Sequence, residues 1–356
     1  MNESKKPKNN VLEMKIPPLI LALILSFFYF HLLAQPQRGD CRILFYNVEN
    51  LFDVINDTLI NDEEFLPGKG RNWNRFKFDD KINKIAKVII AAGGWEAPEI
   101  VGLCEVENRY VVEQLIKKTP LHSFGYNIIH KESPDLRGID VSMLYKKDRF
   151  KPLKYRYLEV KNSNGQKLNS REILYVEGIL KNKDTLHFFF NHWPSRYSGY
   201  LETAGLRKQA AKTLRKEVDL IFQKNPDSKI IIMGDFNDQP SDESIVNELK
   251  AVAYNQETKN GTLYNLSAAW NSIDSGTIKY QAQWLIYDQV IVSKGLLNNS
   301  NSIYSTPLSA GIFVNDFLLK RDDTHGGFKP FRTYSGFSYE GGFSDHLPIF
   351  LDLFIN

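Results

Sequence analysis

The chain has 356 residues, of which 42% are hydrophobic, 13% aromatic and 24% charged, with two cysteines. These fractions exclude a disordered chain, a collagen-like repeat, a multi-span membrane protein and a disulfide scaffold, and the length allows one large or two average domains. The formal charge is +3, and the first 34 residues supply +2 of it through Lys5, Lys6, Lys8 and Lys15 against Glu3 and Glu13. The remainder is close to neutral, so a bound polyphosphate must be held by a local site and not by an overall field.

Residues 1–15 are polar and net basic, 16–33 are mostly apolar (LILALILSFFYFHLL), and Ala34 precedes the polar QPQRGD. This pattern is a secretory signal, with cleavage expected after Ala34. The rival reading is an uncleaved membrane anchor, since the apolar run is just long enough to span, although Pro17, Pro18 and His31 weaken a span. Gln35 in place of a cysteine excludes a lipoprotein cleavage point. In both cases the rest of the chain is expected to be exported: periplasmic, extracellular or on the cell surface.

Export makes a Cys41–Cys104 bridge conceivable. Cys41 lies six residues before Asn47 on one strand, and Cys104 adjoins Glu105 on another. Asn47 and Glu105 are expected at the same sheet end. Six strand residues span roughly 20 Å, while bridged Cα atoms lie within about 7 Å, so no bridge is expected.

From Arg42 onward, short apolar runs alternate with helical patterns. RILFYNV (42–48) reads as a buried strand and FDDKINKIAKVIIAA (78–92) as a helix, with Ile82, Ile85, Ala86 and Ile89 on one face and Asp79 or Asp80 as its cap. EIVGLCEV (99–106) is a strand and NRYVVEQLIKK (108–118) a helix. YNIIH, IDVSMLY, ILYVEGIL and TLHFFFNHW follow as strands, and the stretch 126–192 reads as an antiparallel meander. A helix over about 200–223, the strand KIIIMGD (229–235) and a short helix near 242–250 come next. QWLIYDQVIVS (283–293) and HLPIFLDLF (346–354) are the last strands. The alternation predicts α/β layering, a mixed sheet system with helices outside. No linker separates two cores, so 40–356 reads as one domain. Two stretches, 255–282 and 300–342, lack periodicity; the second mixes glycines with Phe328, Phe331, Tyr334, Phe337 and Tyr339. Long loops of this kind are often functional.

Polar residues cluster at the ends of the apolar strands. Asn47 and Glu49 follow ILFY; Glu105 and Glu107 follow IVGLC; Asn191 and His192 follow LHFFF; Asp235, Asn237 and Asp238 follow IIIMG. Asp288 interrupts WLIYDQVIV, and Asp345 and His346 precede LPIFLDL. Each has a plain structural reading on its own: a carboxylate held by backbone donors, an Asx turn at Asp235-Phe-Asn237, a satisfied buried histidine, a cap. Such groups beside buried strands are costly unless paired or bound to a metal, and α/β folds gather ligands where strand ends open into loops. Six strand ends of this character predict convergence on one site.

The ordered set FYNVENL, GLCEVEN, RGIDVSMLY, NHWPSR, MGDFND, YDQVIVS and FSDHLPIF, spread over 43–354, resembles the endonuclease/exonuclease/phosphatase superfamily. Within that superfamily it is most similar to exported bacterial nucleases. The resemblance implies a four-layer α/β sandwich, two packed mixed β-sheets flanked by helices. It implies Glu105 as the main metal carboxylate with Asn47 beside it, and Asp345 as a second metal ligand or a partner orienting His346. It further implies Asp235 as the group that aligns or deprotonates the attacking water, and Asn237 as a donor to a phosphate oxygen. His192 would contact the phosphate or assist the leaving group. Asp288 would fix a catalytic histidine, and His346 would be the general base or a phosphate-binding histidine.

The residue types agree with phosphate-ester hydrolysis, which needs an activated water, neutralised phosphoryl oxygens and a stabilised leaving oxygen. Carboxylates and amides suit Mg²⁺, with Mn²⁺ or Ca²⁺ as substitutes, and no His-x-x-x-His or Cys-x-x-Cys suggests zinc. Arg137 and Arg196 are candidate phosphate contacts, Asp140 a partner for Arg137 or a ligand, and Arg332 a weaker candidate. The basic helix residues Arg207, Lys208, Lys212, Arg215 and Lys216 are either a nucleic-acid surface or a solvated face. The resulting expectation is a secreted Mg²⁺-dependent nuclease whose partner is DNA or RNA, with membrane contact only through an uncleaved amino-terminal segment. The alternatives are a hydrolase of a lipid headgroup or small phosphate ester, and an inactive surface-binding module.

Overall fold

The computed structural model describes residues 38–94, 96–181, 184–197, 199–254, 259–270 and 275–356. The expected signal segment, 1–34, lies outside them. Among the described residues no helix is long and apolar enough to cross a membrane.

The first part of the chain gives β1 (Cys41–Leu51), helix α1 (Arg75–Ala92), β2 (Ile100–Val106), α2 (Arg109–Lys117), β3 (Tyr126–Ile129) and β4 (Asp140–Lys146). The middle gives β5 (Phe150–Leu158), β6 (Ile173–Leu180), β7 (Thr185–His192), α3 (Tyr200–Lys224) and β8 (Lys229–Asp235). Short strands follow: β9 (Ala251–Ala253), β10 (Leu263–Asn265), β11 (Ile278–Tyr280), β12 (Gln283–Leu285), β13 (Asp288–Ser293), β14 (Ile303–Tyr304) and β15 (Ala310–Ile312). The chain then adds β16 (Leu319–Arg321), β17 (Phe328–Pro330), β18 (Tyr334–Ser335), β19 (Ser338–Tyr339) and β20 (Ile349–Ile355).

One mixed sheet has the order β14-β20-β1-β2-β4-β3, with β15 also on β20, and the other has the order β5-β6-β7-β8-β13-β10-β9. β1 runs parallel to β2, and β7 parallel to β8. The 126–192 stretch is therefore not one meander. β3 and β4 close the first sheet, and the chain then crosses over to begin the second with β5, a strand that its charged, half-exposed sequence FKPLKYRYL had concealed.

β1 explains the layering. Its Ile43 and Phe45 enter the core between the sheets, while Leu44, Tyr46 and Val48 face α1 and α2. Burial on both faces is why the strand is apolar without alternation. In the same way Phe188 and Phe190 of β7 face inward, and Phe189 packs outward with Ala210, Leu214 and Val218 of α3. The result is the four-layer α/β sandwich: helix, sheet, sheet, helix. α1 begins at Arg75, capped by the Asn74 side chain, which accepts the Lys77 N–H. The cap is thus Asn74, not Asp79 or Asp80, because the helix extends one turn further toward its amino end.

The sheets touch closely at Gly102, where an added Cβ would stand 2.3 Å from the Phe190 ring and 2.9 Å from Phe45. Those two rings are stacked with centroids 6.3 Å apart. Gly102→Ala is expected to cost about 1–3 kcal/mol by overpacking, measured by urea unfolding. An unchanged midpoint would mean that the layers separate freely there.

The two cysteines are free and buried. Cys41 pairs across from Leu353 near the start of β1, and Cys104 across from Asn47 near its end. Burial raises both thiols above their ordinary range, so neither is a reactive thiolate.

Candidate active site

Register brings the polar strand ends together. His192, Asp235 and Asp288 are direct neighbours across β7, β8 and β13, so they share one face of the second sheet. From the first sheet β1 delivers Asn47, opposite Cys104 of β2. Both strands then break register, between Asn47 and Leu51 and between Cys104 and Val106. Glu49, Asn50, Glu105 and Asn237 take the left-handed region, with φ of 52°, 57°, 62° and 50°. Bulges and left-handed backbone re-aim side chains and concentrate at functional sites.

Asp288 does not interrupt a strand. The 283–293 run divides into β12 and β13 in different sheets, and Asp288 is the first residue of β13, its N–H donating to Thr277 Oγ1 at 3.1 Å. His346 precedes β20. Its N–H donates to Ser344 Oγ (3.1 Å), and Ser344 Oγ in turn donates to the Asn47 carbonyl (2.7 Å).

Asn47 sits at the centre. Its Nδ2 donates to Asp235 Oδ2 (3.1 Å) and Glu105 Oε1 (3.3 Å), while its Oδ1 accepts the Glu49 N–H (3.0 Å). The Glu49 N–H fixes which way the amide points. Asn47 therefore presents its donor to the two carboxylates. Glu105 is anchored through Oε2 by the Asn50 N–H at 3.0 Å. His192 Nε2 stands 3.6 Å from Glu105 Oε1 and 3.7 Å from Asp235 Oδ2, and its buried Nδ1 has no partner among the described residues. His346 Nδ1 lies 2.7 Å from Asp288 Oδ2, and its Nε2 3.8 Å from Asp235 Oδ2. Asp288, not Asp345, thus orients this imidazole. Asp345 Oδ2 accepts Arg332 Nη2 at 2.8 Å, so the expected second metal ligand is committed to a guanidinium.

Electrostatics separates the two histidines. Burial opposes charge on His346, but the Asp288 and Asp235 carboxylates outweigh it and hold the imidazolium well above its ordinary range. Burial drives His192 well below its ordinary range, reinforced by Arg171, Arg137 and His346. Burial, with Asp288 and Glu105, pushes Asp235 up to about 7 against the pull of His346. Burial also raises Glu49 to about 7 and Glu107 to about 8. Groups with raised folded pKa values hold protons that the unfolded chain releases, so their stabilisation is lost as pH rises through the folded values. His192 has the opposite sign but acts only below about pH 6.5. The EDTA-treated protein is therefore expected to lose thermal stability between about pH 6.5 and pH 8. A flat or rising Tm across that window would contradict these shifts.

The expected phosphate arginines divide. Arg196 is committed elsewhere: Nε donates to the Asn237 carbonyl (2.6 Å), Nη2 bonds Asp238 and Asp242, and Tyr200 and Tyr287 flank its plane. It fixes the turn after β8 and has little left for a phosphate, which corrects that assignment. Arg137 rests 3.4 Å from Asp135 with half its side chain in solvent, and is open to a ligand. Asp140 holds His130 Nε2 (2.9 Å) and the Ser133 N–H (2.7 Å) in place of Arg137. Asn237 donates Nδ2 to the Trp193 carbonyl (3.0 Å), leaving one amide hydrogen free.

Sequence reading missed Arg171. It is buried, bonded to Asp135 (2.6 Å) and to the same Trp193 carbonyl (2.7 Å), and helps keep His192 neutral. Only its position just before β6 marks it. Lys81 was also missed, because it lies on the apolar face of α1. The helix residues read as basic are mostly satisfied. Arg207 is fully buried against Asp238 and Thr203, Lys208 pairs with Glu243, Lys212 with Glu248 and Arg215 with Asp219.

The set Glu105, Asp235 and Asp288 is all oxygen, Asp288 Oδ1 is buried without a partner among the described residues, and the available ligand atoms of Asp235, Asp288 and His346 lie within 4.8 Å of one another. This donor chemistry fits a hard divalent cation such as Mg²⁺. Glu105, whose Oε1 faces the Asn47 amide and His192, is the carboxylate that would hold it.

Residues 42–354 match the Endonuclease/Exonuclease/phosphatase family. The chain belongs to that family. Membership makes the reaction class phosphoric-ester hydrolysis. Comparison with curated proteins finds no match. Among solved structures, the human Nocturnin catalytic domain with bound sulfate superposes with a TM-score of 0.53 at 15% identity, covering 90% of this chain and 96% of its own. The mannosyl-6-phosphatase Bt3783 of Bacteroides thetaiotaomicron VPI-5482 gives 0.52 at 14% identity, covering 88% and 99%. TDP2 of D. rerio complexed with a single-strand DNA product gives 0.51 at 14% identity, covering 88% and 98%. These likenesses establish the endonuclease/exonuclease/phosphatase fold of the chain, in agreement with its two mixed sheets and outer helices.

Proposed function

We propose that the protein is an exported, Mg²⁺-dependent phosphodiester hydrolase acting on DNA or RNA. The observation that carries the hydrolase reading is the pair of histidines flanking Asp235, with His192 Nε2 at 3.7 Å and His346 Nε2 at 3.8 Å from its Oδ2, and Glu105 and Asp235 on either side of the Asn47 amide. A cation held at Glu105 would neutralise phosphoryl oxygens and acidify water. Asp235, raised to about 7, takes the proton of the attacking water, since a base is best poised near working pH. His346, held charged by Asp288, presents Nε2 to the phosphoryl group and stabilises its developing charge. Neutral His192 hydrogen-bonds the phosphate, and Asn237 and Arg137 supply further donors. Nucleic acid as the substrate draws support from the DNA product bound to the D. rerio TDP2. Export rests on the amino-terminal 34 residues.

A second reading, a small phosphate ester, is favoured by two observations: the basic residues of α3 are largely spent on internal partners, and Bt3783 is a mannosyl-6-phosphatase. A phosphoester panel with and without EDTA decides between them. Oligonucleotide release that EDTA abolishes is the expected result. Free phosphate from sugar phosphates alone would move the assignment to the second reading, and no divalent-dependent turnover on any ester would leave a binding module.

A further inference from the structure

The turn after β1 is acidic and has no basic residue. FDVINDTLIND (52–62) carries Asp53, Asp57 and Asp62 together with Asn56 and Asn61. It folds against Glu107, which follows β2. Glu107 Oε2 accepts the Asp53 N–H at 2.6 Å, and Asp53 Oδ2 accepts Asn108 Nδ2 at 3.1 Å. Glu107 and Asp53 are buried, while Asp57 is exposed. Burial is the largest influence raising Glu107. The Asp53 N–H opposes it, and the charges acting on it are those of Asp53, Asp62 and Asp57, all negative. Among the described residues none of these four acids is ion-paired.

Asp62 is only 1% exposed. Its Oδ2 accepts the Asp57 N–H at 2.9 Å, and its Oδ1 is buried with no partner among the described residues. A buried carboxylate oxygen with neither a hydrogen bond nor a cation is costly, and this one acts on acids of its own sign. A proton or a cation must join the group. The place is separate from the catalytic cleft. Glu105 turns toward Asn47 and His192, whereas Glu107 lies past the left-handed backbone at Glu105 and against the 52–62 turn. The donors are all oxygen and widely set, since no three of these carboxylates lie within 4.8 Å of one another. Ca²⁺ takes about six to eight oxygens in a flexible shell and accepts backbone carbonyls, which suits such a turn better than the compact octahedron of Mg²⁺.

We propose that Asp53, Asp57, Asp62 and Glu107 bind one Ca²⁺ ion that pins the 52–62 turn to the end of β2. The turn in its place supports the segment that presents Arg137. The Asn61 N–H donates to the Leu136 carbonyl at 2.8 Å, and Ile60 fills the space where a side chain at Gly138 would stand. The site is independent of the hydrolase reading above and of its Mg²⁺.

The test titrates Ca²⁺ by calorimetry into the full chain in excess Mg²⁺ and follows Tm with and without Ca²⁺. Wild type is expected to bind one Ca²⁺ and to gain thermal stability from it. Asp62→Asn keeps an oxygen for the Asp57 N–H and removes the unpaired charge. Its Tm without Ca²⁺ is therefore expected to equal or exceed that of wild type, while its Ca²⁺ affinity falls by about tenfold or more. Tb³⁺ gives a local readout, because Trp73 Nε1 donates to the Phe52 carbonyl (2.9 Å) beside Asp53. Tryptophan-sensitised Tb³⁺ emission that Ca²⁺ displaces is expected from wild type and not from Asp62→Asn. No Ca²⁺ binding by wild type would mean that protons join the acids and overturns the proposal. Equal Ca²⁺ affinity in Asp62→Asn, or emission that survives that substitution, overturns it as well. Each of these outcomes leaves Mg²⁺-dependent hydrolysis untouched, so the two readings fail separately.

Discussion

Replacing His346 by alanine is expected to lower phosphodiester turnover by about 10²–10⁴-fold, the range for a positioned group that handles charge or protons in the transition state. The ring is held by Asp288 at 2.7 Å and reaches toward Asp235 at 3.8 Å, so its Nε2 is the cationic edge turned to the reacting centre. Asp288→Asn is expected to lower turnover less. It leaves the ring in place but removes the carboxylate that keeps it charged. The pH–rate profile separates the two effects. In wild type the charged ring persists well above neutrality; in Asp288→Asn the alkaline limb is expected to move to lower pH. Full activity in His346→Ala would remove this residue from the mechanism.

Asp235→Asn is expected to cost a similar 10²–10⁴-fold in turnover, because an amide cannot accept the proton of water. Stability should move the other way. Asp235 is fully buried, and burial is the largest influence raising it to about 7. An isosteric amide still accepts the Asn237 N–H but turns its NH₂ toward Asn47 Nδ2 and loses that hydrogen bond, and against this it removes a buried carboxylate held beside Asp288 and Glu105. A Tm at neutral pH equal to or above that of wild type, together with near-total loss of turnover, is the expected pair of results, the trade expected where activity requires a destabilising group. A variant that loses stability and activity in parallel would make Asp235 structural.

The first of these residues was legible because it follows a local rule. An apolar strand that ends in a carboxylate or imidazole is visible within about eight residues of sequence. Glu105, His192, Asp235 and His346 are all marked this way, and register then places His192, Asp235 and Asp288 side by side. Asp288 was legible for the wrong reason, since the apolar run around it bends into two strands of different sheets. β5 was hidden because its charged residues face solvent. Arg196 and Arg207 were misread because a guanidinium in sequence carries no sign of whether Asp238 has already claimed it.

Taken alone, the amino-acid sequence determined the α/β class, most of the long elements and the identity of the strand-end groups, while the two-sheet layering was implied by the family resemblance. Apolar periodicity and strand punctuation act over single elements. Only the tertiary structure decided which atom each group presents and what charge it carries. Asn47 meets Asp235 across 188 positions, and Glu49 meets Thr333 across 284. The direction of an amide, the commitment of Arg332 to Asp345 and the opposite pKa shifts of two buried histidines depend on burial and on neighbours that arrive from remote segments, and none of these is a property of local sequence.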